Sequence, residues 1–63
     1  MKVIYYNEDN RKILETYKDN IPREMDEVWI KGETWVVIKC IWVECPPPYY
    51  NESYVQIILN NRS

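Results

Sequence analysis

Sixty-three residues with net charge −2, two cysteines and no histidine make room for one small domain, and a chain of this size buries only about 60 % of its unfolded surface. Two cysteines are too few for a disulfide framework, and the lack of histidine excludes a mixed Cys/His zinc site. Charges of both signs are interspersed, which argues against non-specific binding to nucleic acid.

Residues 2–6 open the chain as a short strand of β-branched and aromatic residues. Residues 7–10 (Asn, Glu, Asp, Asn) are turn chemistry, because Asn and Asp tolerate left-handed backbone and cap their own turns. Residues 11–17 read two ways. As a helix over 10–18 they would place Ile13, Leu14 and Tyr17 on one side, but Arg11 and Lys12 would sit at the positive end of the helix dipole. A strand pairing back onto residues 2–6 is the favoured reading. Residues 18–20 form a loop, Ile21-Pro22 extends the chain, and residues 23–26 make a polar turn.

The stretch 27–44 carries the strongest signal. Two apolar runs flank Lys31-Gly32-Glu33, and all three tryptophans lie within them. This is a β-hairpin with arms at 27–30 and 34–44. Its second arm is apolar on both faces, where a half-buried strand is apolar on one. Residues 46–48, three prolines, end the pairing because they have no N–H to donate. Residues 49–53 form a loop, 54–59 a final strand, and 60–63 fray. The fold class is therefore all-β: a small antiparallel sheet of four or five strands bent into an SH3-like half-barrel. The α+β alternative covers the sheet with one short helix over 10–18.

Composition adds a prior about origin. Asn, Ile, Lys and Tyr are plentiful while Ala, His and Phe are absent, the bias of an AT-rich genome such as those of low-GC bacteria and their phages. The pieces Ile21-Pro22-Arg23, Asp26-Glu27-Val28, Ile30-Lys31-Gly32, Trp35-Val36-Val37, Trp42 and Val55-Gln56-Ile57 together resemble small all-β proteins encoded by phages and prophages of low-GC Gram-positive bacteria. Those commonly open with Ile-Pro-Arg-x-Gly-Asp, followed by a strand, a Gly turn and a Tyr-x-Val strand. Here Glu24-Met25 stands where Gly is expected, Trp35 replaces Tyr, and the proline run is a departure. The resemblance implies a small open barrel or strongly bent sheet, and some such proteins inhibit host defence. It also suggests a β-bulge near Ile38 and Lys39.

The candidate sites follow from the excess of apolar side chains. If Trp35 and Val37 point inward, strict alternation puts Val36, Ile38, Cys40 and Trp42 on the other face. A bulge would return Cys40 and Trp42 to the core and leave Ile41 and Val43 outside. In either register large apolar groups face outward near Trp29. Barrel closure by the N-terminal hairpin and a dimer or partner interface are equally good explanations. The interface residues would be Trp29, Val36, Ile38, Ile41, Trp42 and Val43, with Tyr49 and Tyr50 at the rim.

Other features are weaker. Residues 46–50 contain Pro-Pro-x-Tyr, a WW-domain ligand pattern, but a stiff connector is the simpler reading. Glu24, Asp26 and Glu27 could hold a metal or mimic phosphates, yet Arg23 sits among them and a solvated turn explains them better. Cys40 reads as a small core or interface residue, and no neighbour activates Cys45 as a nucleophile. Neither catalytic residues, a cofactor nor a metal is expected. The expected protein is a non-enzymatic interaction module in the bacterial cytoplasm: there is neither a signal-like segment nor a membrane span. It would form a homodimer and bind a host protein. A nucleotide sponge at an oligomer seam and a nucleic-acid-binding barrel are the alternatives, the latter disfavoured by charge.

Overall fold

The computed structural model describes residues 1–48 and 52–62. Its strands are β1 (Lys2–Asn7), β2 (Lys12–Tyr17), β3 (Glu27–Ile30), β4 (Glu33–Val43) and β5 (Tyr54–Asn61). No helix occurs among the described residues. The ambiguous segment is a strand, with Lys2 opposite Tyr17 and Ile4 opposite Glu15, and Ile13 bulges out of the ladder. As a strand, Lys12 escapes the unfavourable helix end and meets Glu15 at 3.2 Å instead.

One sheet holds all five strands in the order β2-β1-β5-β4-β3. It curls into a half-barrel whose two edge strands, β2 and β3, remain apart. The sheet is mixed rather than purely antiparallel: β1 runs parallel to β5, with Val3 beside Val55 and Tyr5 beside Ile57. That pairing lies in the middle of the sheet, where parallel strands are covered and protected. Segment 18–26 makes it possible by carrying the chain from the end of β2 to β3 at the opposite edge.

Residues opposite one another in the ladder share a face. The inner face therefore holds rows such as Leu14, Tyr5, Ile57 and Cys40, and Asn7, Leu59 and Val37. Val3, Tyr5, Ile30, Val37, Val55, Ile57 and Leu59 form the buried core, and Ile21, Val28, Trp35 and Cys40 pack against it. Fully burying one such aliphatic side chain contributes roughly 1.5–3 kcal/mol. The outer face is also partly apolar: Ile4 is buried there between Glu15 and Gln56, and Val36 between Asn60 and Glu27.

The long strand β4 changes register once. Val37 opposes Leu59 and Lys39 opposes Ile58, so Ile38 is an extra residue. This is the expected bulge. It returns Cys40 to the inner face and turns Ile41 and Val43 outward. The β3–β4 hairpin closes on Lys31 and Gly32, with φ of 51° and 82°. Both values are positive, as the two-residue turn that matches strand twist requires.

Candidate functional site

Two tryptophans stand out of the sheet on opposite faces. Trp29 opposes Thr34 and belongs to the outer face; it is 74 % exposed. Trp42 opposes the core residue Val55 and belongs to the inner face, yet it is 55 % exposed. The bulge at Ile38 sets this division, since it reverses the parity of every later residue in β4. Trp42 was expected to return to the core with Cys40. It returns to that face but stays exposed, since β3 pairs with β4 only as far as Val36.

Trp42 instead walls an open groove of about 550 Å³, lined by residues 19–24 with Cys40 and Trp42. The segment opposite is held in place by specific bonds. Cys40 Sγ donates to the carbonyl of Pro22 at 3.2 Å, tying β4 to the extended Ile21-Pro22 step. The Arg23 N–H donates to Asp26 Oδ2 at 2.8 Å, and the Asp26 N–H returns to the Arg23 carbonyl at 3.1 Å. Two further bonds join this turn to β4: Met25 N–H to Val37 O at 2.8 Å and Val37 N–H to Asp26 O at 2.9 Å.

Of the acidic residues 24, 26 and 27, Asp26 shapes a turn and Glu27 begins β3. Asp26 uses its carboxylate to close it, and no group of three or more metal-binding side chains gathers among the described residues. The Cys40 thiol is pushed above its ordinary value of 9.0, first by burial and then by the negative charges of Glu24 and Asp26. It is therefore a protonated hydrogen-bond donor at neutral pH, the opposite of an activated nucleophile. Both cysteines are free thiols.

Of the other expected interface residues, Val36, Ile41 and Val43 share the outer face with Trp29. Ile41 and Val43 are half-buried on the outer face, Ile38 projects at the bulge with 41 % exposure, and Val36 is buried. Ile41 and Trp42 point to opposite faces. Tyr49 and Tyr50 lie outside the described residues, so the Pro-Pro-x-Tyr reading stops at exposed Pro46, Pro47 and Pro48. The Cys45 N–H bonds to Ser53 Oγ at 3.0 Å and closes the base of that connection.

Sequence reasoning missed two features. The groove needs the segment between β2 and β3 to lie against Trp42, and nothing local in residues 18–24 announces that contact. Tyr17 and Met25 are also highly exposed, at 74 % and 78 %, and neither stood out in the pattern. Comparison with protein-family models, with curated proteins and with solved structures finds no match for this chain.

Proposed function

We propose that this chain is a non-enzymatic interaction module of the small phage- or prophage-encoded kind, which self-associates and blocks a host protein of antiviral defence. The observation that carries the interaction reading is Trp42, a large aromatic side chain left 55 % exposed at the wall of a groove. Exposed tryptophan in a recess has the physical character of an interface anchor. It offers a large apolar area at low entropic cost, and its desolvation by a partner is favourable. The groove also offers Arg23, Glu24 and Asp19 as a polar rim of mixed charge. The phage setting and the defence target rest on the resemblance in residues 21–57 and on the AT-rich composition.

The test is expression of the chain in a low-GC Gram-positive host that carries an active defence system. Plating efficiency of a phage restricted by that system should rise, and Trp42→Ser should abolish the rise while leaving a folded protein by circular dichroism. Unchanged plating across a panel of defence systems would overturn the defence reading. A Trp42→Ser variant that still restores plating would overturn the groove as the contact surface.

A further inference from the structure

The edge of the sheet at β3 is open, and its backbone is self-complementary. Val37 exchanges hydrogen bonds with Met25 and Asp26, and Arg62 N–H donates to Thr34 O at 2.9 Å. Backbone groups alternate sides along a strand, so odd-numbered residues before the bulge in β4 face β3 and even-numbered ones face β5. Their partners Val28 and Ile30 then face β4, and Glu27 and Trp29 point their N–H and C=O groups away from the sheet. No strand among the described residues pairs with that edge. An open groove of about 480 Å³ runs beside it, between residues 26–29 and Lys18, Asn20, Ile21 and Pro22.

The other edge, β2, is managed differently. It carries the bulge at Ile13, and Glu15 on it is bracketed by Lys12 at 3.2 Å and Lys2 at 3.6 Å. Bulges and charges are devices that discourage edge pairing. Strand β3 has no bulge between Glu27 and Ile30, and beside its one carboxylate, Glu27, it presents Trp29.

We infer that two copies of the chain join by antiparallel pairing of β3 with the partner's β3 across a two-fold axis centred on Val28. This assigns a surface to the self-association in the reading above and is separate from the Trp42 groove. In that register Glu27 lies opposite the partner's Trp29 and Trp29 opposite the partner's Glu27. All the edge-facing backbone groups of these residues are then satisfied, by four hydrogen bonds. The two Trp29 rings become diagonal neighbours on the outer face, about 7–8 Å apart at the backbone and within reach of one another. The two Glu27 carboxylates become diagonal neighbours as well, and Lys31 of each copy, at the start of the turn, is the diagonal neighbour of the partner's Glu27 and offsets their repulsion. An axis on Trp29 would instead set Glu27 opposite the partner's Lys31, but Lys31 lies in the turn with φ of 51° and its backbone is not extended for pairing, whereas the Val28 register uses only residues of β3. The result is a continuous sheet through two half-barrels, with the exposed Trp29 covered.

Light scattering and sedimentation across the micromolar range test this on the intact chain. The wild type should be a dimer. Trp29→Pro should dissociate it by about a hundredfold, because it removes an edge-facing N–H and the ring. The monomer ladder loses no bond, so the variant should keep its circular dichroism spectrum. Glu27→Lys or Lys31→Glu alone should weaken the dimer about tenfold, and the two together should restore it; this pair keeps the test open if Trp29→Pro fails to fold. A wild-type monomer throughout would overturn both the edge pairing and self-association. A dimer indifferent to all these variants would overturn the edge pairing alone, leaving self-association in place.

Discussion

Met25 donates its N–H to the carbonyl of Val37 at 2.8 Å, and it does so from a left-handed backbone conformation with φ of 76°. Glycine is favoured at such a position, because it alone adopts that φ without a Cβ penalty. Met25 is 78 % exposed and contributes little packing. Replacing it with glycine should raise stability by about 1 kcal/mol, measured as a higher midpoint in urea with an unchanged slope. A lower midpoint would mean that Met25 packs in a way its exposure hides.

Tyr5 is the one polar side chain in the fully buried core, and its hydroxyl has no hydrogen-bond partner among the described residues. Tyr5→Phe should stabilise the protein at neutral pH by about 1 kcal/mol, since it removes an unpaired buried polar atom.

The same residue shapes the alkaline limit. Burial, and then the neighbouring Cys40, raise Tyr5 above its ordinary 10.0, and Cys40 is likewise raised above 9.0. Each group stays protonated in the folded chain at a pH where the unfolded chain has already lost the proton. Their contribution is therefore complete below pH 9 and is lost as pH rises through the folded values. A pH series of thermal melts should show falling stability above that point, with a shallower fall in Tyr5→Phe/Cys40→Ala.

Alkylation kinetics offer an independent check on Cys40. Its thiol is half-buried, held by the Pro22 carbonyl at 3.2 Å and opposed by nearby carboxylates. At neutral pH iodoacetamide should modify Cys45 well before Cys40 in peptide mass spectra. Cys40 should catch up in Glu24→Gln/Asp26→Asn.

Core and bulge should separate cleanly by mutation. Ile57→Ala empties a fully buried position and should cost about 2–5 kcal/mol. Domains of this length have about 3–9 kcal/mol in total, so that variant should lose a large share of its stability and unfold at a much lower urea midpoint. Ile38→Thr, at the exposed bulge, should change stability by less than about 0.5 kcal/mol.

The strands were legible because β-branched runs, Gly32 and the prolines mark them locally. Even the doubtful segment 11–17 carried its answer in the position of Arg11 and Lys12. The direction of β1 against β5 was not legible, because it depends on where the connection 18–26 runs. The site was half legible for the same reason. Periodicity identified β4 as too apolar, and the resemblance pointed to a bulge near Ile38, which decides the face on which Trp42 emerges. What borders Trp42 is set by a loop folding across from another part of the chain. The free edge of β3 follows from strand order, which no single stretch of sequence encodes.

The order β2-β1-β5-β4-β3 has a consequence for how the molecule is made. Hairpins β1–β2 and β3–β4 do not touch as sheets; β5 alone joins them. On the ribosome, residues 1–43 can do no more than form two separate ribbons, each too small to persist in water. The core closes only when residues 54–61 emerge and slot between them, so assembly is a single event that waits for β5.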